Sequence, residues 1–374
     1  MKRNVLFQGA VLITLILPGC GSVQPKPVAM DQTFTDGTML PMKDSFAFCT
    51  TNGAVQVLDY ETMKHPMLCN KPNCTHTAAD CIEQRLHGNV PLFGDGCAYY
   101  FVDDEPKTDP NSEGKIDLTV GSALCRYDFA SNTEEELVHV DASVSYNCYG
   151  WMLKNETIYF IENQYSRNYD ENGILSDFGN IGGEMSLCSV RLSDLEVNEL
   201  CALTDYEELT KHYDSYRTSG CVYMKGAYDN KIYFNVGFLV EDRFRFYVTY
   251  YDLNDGTYHG TPENYDDISY SYVMSATDDT MVIGRDGIAD VYRKGSAEPV
   301  TIEAEGLDDF SEVFLSDGTF FFDDKAIDLK TKEVRTLEQM KDKSIIEKYG
   351  DSFIISDYGM QSGFEKIPAE KLLN

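Results

Sequence analysis

The chain has 374 residues, a formal net charge of −31, 12% aromatic residues and 11 cysteines. A surface this acidic repels nucleic acid and anionic lipid headgroups, which excludes both as electrostatic partners. The aromatic content and the even spread of the acids exclude a disordered acidic chain, and the length is ample for a large core.

The first element in chain order is an export signal. Lys2 and Arg3 precede a largely apolar run from Val5 to Leu17, and Leu17-Pro18-Gly19-Cys20 follows at once. A charged start, a short apolar stretch and small residues before a cut describe a signal peptide over residues 1–19. The apolar run is shorter than the roughly 20 residues that span a bilayer. The cysteine after Leu-x-Gly resembles the lipobox of bacterial lipoproteins. That resemblance implies that Cys20 becomes the first mature residue and is acylated on its sulfur. The protein is then held on the cell membrane with its globular part outside the cytoplasm. Residues 20–36 contain Pro25 and Pro27 and no strong period, and read as a lipidated tether; 37–374 is the folded domain.

An internal repeat sets the fold. Asp or Asn followed, three and four residues on, by an apolar pair recurs at Asp44, Asp95, Asn155, Asp229, Asp278, Asp317 and Asp351, at spacings of 51, 60, 74, 49, 39 and 34 residues. Strand-like runs flank each anchor, as in Val90–Phe93 before Asp95 and Tyr99–Val102 after it. Asp, Asn and Gly between apolar runs are hairpin chemistry, because they tolerate the positive φ of tight turns. A third strand follows, often ending in Tyr-Asp-apolar or a variant (Leu58-Asp59-Tyr60, Tyr127-Asp128-Phe129, Tyr251-Asp252-Leu253, Ile327-Asp328-Leu329), then a polar turn and a short fourth strand. Four short antiparallel strands per unit predict an all-β chain, a β-propeller of about seven four-stranded blades, with six or eight as variants and a β-sandwich as the competing fold.

The longest insertions are the stretches 69–89, 103–121, 163–184 and 204–219. In a propeller, loops between strands two and three open on the same face as the connections between blades, so that face is the elaborated one. Within it, Tyr165, Tyr169, Asp170, Tyr206, Tyr213 and Tyr216 mix rings with acids, a pattern suited to sugar stacking and hydroxyl recognition and equally to a solvated loop. Asn168-x-Asp170-x-Asn172-Gly173 begins like a calcium loop, but Gly179 stands where an EF-hand needs Glu.

The sharpest chemical motif is Cys69-x4-Cys74-x-His76-x4-Cys81. Four soft ligands within one inter-blade stretch fit a structural zinc as Cys3His, and an exported protein equally allows a disulfide among the three cysteines. Cys125 and Cys188 sit at equivalent third-strand positions and read as buried packing residues. The segment Leu68-Cys69-Asn70-Lys71-Pro72-Asn73-Cys74-Thr75-His76, with Cys81 behind it, resembles a motif of surface lipoproteins from Clostridia-type, often gut, Gram-positive bacteria with TolB-like β-propeller repeats. The resemblance implies a propeller and a cell-surface location, and implies no activity. Asp80-Cys81-Ile82 departs from that pattern at the end of the motif.

The sequence contains no G-x-S-x-G nucleophile motif, and its carboxylates are too many to single out a catalytic pair. The reading is therefore a monomeric, membrane-anchored binding or interaction propeller for a glycan, peptide or envelope partner. A glycan hydrolase or lyase on the same scaffold, or an envelope assembly component, are the alternatives.

Overall fold

A computed structural model describes residues 33–373 except 70, 72, 77–80, 87–88, 105–106, 109–115, 119–120, 142–143, 145–149, 163–164, 170–174, 181–184, 204–220, 241–242, 261–271, 286, 308–311 and 358–362. Cys20 and the signal lie outside the described residues.

The repeated anchors make the turns that their residue types favour. Asp95-Gly96, Asn155-Glu156, Asp229-Asn230 and Asp317-Gly318 each form a two-residue turn with both φ angles positive. That geometry matches the right-handed twist of the strands on either side, and Asp, Asn and Gly adopt it at least cost. All seven anchors lie between the first and second strands of a sheet.

A short strand, β1 (Thr33–Thr35), opens the folded part. Blade 1 holds β2 (Met39–Met42), β3 (Ser45–Cys49) and β4 (Val55–Asp59). Blade 2 begins with β5 (Leu92–Gly94) and β6 (Cys97–Asp103). It makes an excursion through β7 (Lys107–Thr108) and β8 (Ile116–Leu118), then returns as β9 (Ser122–Asp128) and β10 (Thr133–Val140). Blade 3 repeats the plan: β11 (Trp151–Lys154) and β12 (Thr157–Glu162), an excursion through β13 (Tyr165–Tyr169) and β14 (Leu175–Asn180), then β15 (Ser186–Arg191) and β16 (Val197–Ala202). Blade 4 is β17 (Cys221–Tyr228), β18 (Lys231–Val240), β19 (Arg243–Asp252) and β20 (Thr257–Gly260). Blade 5 is β21 (Tyr272–Ala276), β22 (Thr280–Arg285), β23 (Ile288–Arg293) and β24 (Val300–Glu303). Blade 6 is β25 (Val313–Ser316), β26 (Thr319–Phe322), β27 (Lys325–Asp328) and β28 (Val334–Thr336). Blade 7 is β29 (Lys343–Tyr349), β30 (Ser352–Asp357) and β31 (Glu365–Pro368), followed by helix α1 (Ala369–Leu373).

The third-strand aspartates explain their own recurrence. Asp59 Oδ1 accepts the amides of Glu61 and Thr62, Asp128 Oδ1 those of Ala130 and Ser131, and Asp328 Oδ1 those of Lys330 and Thr331. Each closes the turn that leads from the third strand to the outer edge of its blade as an Asx turn. The apolar neighbours of each aspartate face the core.

Among the described residues the core is seven clusters, one at each junction between successive blades. Period-two alternation divides each second strand between its neighbours. Phe320 and Phe322 pack toward blade 5, and Phe321 between them packs toward blade 7. Met281 and Ile283 pack toward blade 4, and Val282 toward blade 6. Phe46 and Phe48 meet Ile346 and Ile354 of blade 7, while Ala47 faces blade 2. The last of these junctions closes the ring, so the architecture is a seven-bladed β-propeller.

Three details differ from the sequence reading. Residues 33–35 fall inside the segment read as tether, yet β1 pairs antiparallel with β11 (Thr33↔Leu153, Thr35↔Trp151). The folded part thus starts before residue 37. Blade 1 has three regular strands; its fourth edge, near 64–68, keeps backbone bonds from Val57 to Pro66 and from Leu68 to Val55, but Pro66 has no N–H to extend the ladder. Blade 7 also has three strands among the described residues, and α1 follows the third. Among the described residues no strand is shared between blades 1 and 7; their junction is made by side chains and by Lys366 Nζ donating to Tyr60 O at 3.2 Å. Finally, the two excursions pair with each other. Ser166↔Leu118, Arg167↔Asp117 and Asn168↔Ile116 join β13 to β8 in an accessory four-stranded sheet built half from blade 2 and half from blade 3.

Candidate functional site

The ring leaves a cavity of about 780 Å³ on its axis. Its wall comes mainly from the first strands of the blades: Met152 of blade 3, Tyr223 and Lys225 of blade 4, Tyr272 to Ala276 of blade 5, Val313 and Phe314 of blade 6, and Ile345 to Glu347 of blade 7, with Phe34 of β1 and Asp36 just after it. These strands come close at the axis. Gly226 bridges in parallel to Ala276, and a Cβ on Gly226 would lie 2.3 Å from the Ala276 carbonyl oxygen.

The wall is aromatic and apolar with a few charges set into it. Tyr223 is 39% exposed and its ring lies 6.3 Å from that of Phe246. Lys225 is largely desolvated, which lowers its ammonium pKa against the opposing pull of the Asp36 charge. Asp36 is itself fixed: its Oδ1 accepts the Thr38 amide at 2.8 Å and the Met39 amide at 3.0 Å. Glu347 has its carboxyl pKa raised by burial, with the Lys348 amide working in the other direction. Glu312 Oε2 is buried without a hydrogen-bond partner among the described residues. Asp278 is taken by Lys154 at 3.0 Å. Such a wall can hold a ligand by ring stacking and apolar contact, and orient it by an ammonium and a carboxylate placed where water is scarce.

A second feature lies at the junction of blades 1 and 2. Cys69 Sγ, Cys74 Sγ, a ring nitrogen of His76 and Cys81 Sγ all lie within 4.8 Å of one another, in a cluster that can hold a metal ion. Cys69 and Cys81 are buried in the core between the two blades, and Cys74 and His76 form the outer edge. Asn73 and His76 have φ of 58° and 56°, which turns the chain back so that a local run of residues faces inward. Burial raises the Cys69 and Cys81 thiols, whereas the His76 amide holds Cys74 below its ordinary value. Glu83, at the start of the short helix 82–85, is buried, and its carboxylate accepts the amides of Val55 and Cys69 at 2.9 Å each. Burial keeps its pKa raised although those bonds pull it down.

The structure therefore brings together Cys69, Cys74, His76 and Cys81, as their spacing anticipated. It places Tyr165 and Tyr169 on β13 of the accessory sheet, opposite Asn180 and Leu175 in register. Asp170, Tyr206, Tyr213 and Tyr216 lie outside the described residues, as does the 205–213 segment. Cys125 and Cys188 sit opposite Tyr100 and Phe160 in their blades, each buried toward the preceding blade, so they are packing residues. The axial residues Tyr223, Lys225, Glu312 and Glu347 were not singled out by sequence. The available signal was a charge inside an otherwise apolar first strand, as Lys225 stands beside Met224.

No family model and no curated protein matches the chain. Among solved structures it is similar to an oligogalacturonate lyase in complex with manganese, with 10% identity, a TM-score of 0.44, and coverage of 93% of this chain and 91% of that one. It is also similar to the β-propeller domain of the trilobed protease from Pyrococcus furiosus (9% identity, TM-score 0.37, 88% and 89% covered). A third similar structure is an acylaminoacyl peptidase in complex with Z-Gly-Gly-Phe-chloromethyl ketone (12% identity, TM-score 0.38), where 86% of this chain spans 49% of that chain, about half its length. The likeness is one of fold alone.

Proposed function

We propose that this protein is a lipoprotein of the cell surface that captures a glycan or peptide segment in its axial cavity. The observation that carries the reading is the cavity wall itself: exposed Tyr223 beside Phe246, with Lys225, Glu312 and Glu347 from three separate blades on the same surface. Its volume lies within the range of roughly 300–1,000 Å³ usual for ligand sites. Cys20 supplies the anchor, and the acidic surface keeps the propeller off anionic lipid. In this reading the Cys3His cluster is a structural cation site at the base of an inter-blade segment, separate from the ligand site.

One observation favours a catalytic alternative, a hydrolase or lyase acting on the captured glycan. Glu347 has the raised carboxyl pKa that a general acid needs.

The test is to probe glycan and peptide arrays with the detergent-solubilised lipoprotein. A reproducible set of related probes is expected. Binding to none of the probes on either array would overturn the reading. For the bound probe, release of new reducing ends or peptide termini that Glu347→Gln abolishes would move the protein to the catalytic alternative.

A further inference from the structure

We propose that Cys69, Cys74, His76 and Cys81 form a closed tetrahedral zinc site that fixes the segment joining blades 1 and 2. This rests on the structural role given to the cluster above and names its metal and coordination.

The distances suit a tetrahedron. Zinc–sulfur bonds of about 2.3 Å give sulfur–sulfur edges of about 3.8 Å. Cys81 Sγ lies 3.7 Å from His76 Nδ1, and no ligand pair in the group exceeds 4.8 Å. Three sulfurs and one imidazole also match zinc by chemical type; magnesium and calcium favour oxygen ligands, which this group lacks.

The backbone around the cluster is arranged for thiolates. The amide two residues after Cys74 points back at its sulfur: His76 N lies 3.4 Å from Cys74 Sγ. Such a bond stabilises negative sulfur, which a zinc site needs and a disulfide does not. The backbone of each ligand segment is tethered as well. Glu83 holds the Cys69 amide and, through Val55, the edge strand of blade 1, and Gln84 Nε2 donates to the His76 carbonyl at 2.7 Å. Outer partners of this kind keep ligands in place before the metal arrives.

Two of the three thiols, Cys69 and Cys81, are buried in the apolar junction. A divalent ion compensates the burial by deprotonating them, and zinc has no redox chemistry of its own to drive disulfide formation. All four ligand positions are filled by side chains, so the site has no open position for substrate and is structural.

The experiment measures metal in the full-length lipoprotein, purified in detergent without chelator, together with its cobalt(II)-exchanged form. One zinc per chain is expected, with the intense d–d bands of tetrahedral cobalt and a sulfur-to-cobalt charge-transfer band on exchange. His76→Ala is expected to weaken zinc binding by more than about 100-fold, the upper range for loss of an outer partner. Cys201→Ser, in blade 3, is expected to leave zinc stoichiometry unchanged. A chain with substoichiometric zinc that takes up no cobalt after mild reduction overturns the proposal, as does a native disulfide joining two of the three cysteines. Because the readout is metal rather than array binding, either result leaves the reading of the axial cavity standing or falling on its own test.

Discussion

Lys154 Nζ lies 3.0 Å from Asp278 Oδ1, and the two side chains are 6% and 13% exposed. Lys154 ends the first strand of blade 3, and Asp278 is the hairpin anchor of blade 5. The pair therefore reaches across blade 4, whose Asp229, Asn230 and Lys231 line the same polar pocket. A buried pair contributes little relative to a well-packed apolar one, but breaking it strands a charge. Lys154→Met is expected to cost about 3–5 kcal/mol in chemical denaturation, because Asp278 is left desolvated and unpaired. Lys154→Met with Asp278→Asn is expected to recover most of that loss. Equal costs for the single and double variants would show that the pair is not coupled.

Gly226 tests how closely blades 4 and 5 meet at the axis. Its φ is +115°, and an added Cβ would lie 2.3 Å from the Ala276 carbonyl oxygen. Gly226→Ala must move the backbone or break the bridge. Backbone strain of this kind costs on the order of 1–3 kcal/mol, and the steric overlap adds to it. A fall in Tm of several degrees is expected, with Gly295→Ala, which has φ of +82° and no atom within 4 Å of its added Cβ, as the reference for φ strain without the clash. Equal losses at the two positions would remove the close approach from the account.

Part of this was legible in the sequence because it is locally encoded. Asp95-Gly96 and Asp317-Gly318 specify their turns by themselves, and Asp128 and Asp328 close theirs through amides two and three residues on. The Cys69 to Cys81 cluster was legible for the same reason: all of its ligands lie within one short stretch. The axial cavity was not. Tyr223, Lys225, Glu312 and Glu347 come from three blades, and each looks locally like one more alternating strand residue. Nor did pattern reveal that β13 pairs with β8, or that β1 leaves the tether to sit beside β11, since register between distant strands is set by the assembled ring.

The pH dependence of stability carries a signature of Glu347. Its ordinary carboxyl value is 4.5, and burial raises it in the folded state. Below 4.5 both folded and unfolded chains hold the proton. Between the unfolded and folded values the unfolded chain has lost its proton while the folded chain keeps it, so stability falls as pH rises through that window. Glu347→Gln removes the dependence. The Tm of the variant relative to the wild type is expected to rise as pH increases from about 4 to 8. A difference that stays flat or falls over that range contradicts a desolvated carboxyl at the cavity wall.

The anchor is tested by location. Cys20→Ala removes the sulfur that would carry the lipid, and acyl chains are what hold such a protein at a bilayer. In cell fractionation the variant is expected in the soluble exported fraction and the wild type with the membrane. Membrane retention of Cys20→Ala would exclude the lipid anchor.

The account stands most directly on whether the axial cavity takes the ligand. Tyr223 is exposed in its wall, so Tyr223→Ala removes a stacking surface without opening a buried core. The measurement is the affinity of wild type and Tyr223→Ala for the strongest array probe, with thermal unfolding run on both. The account predicts a loss of about tenfold or more, corresponding to about 1.4 kcal/mol, with Tm unchanged. Unchanged affinity in Tyr223→Ala and also in Lys225→Met would place the binding surface elsewhere and contradict it.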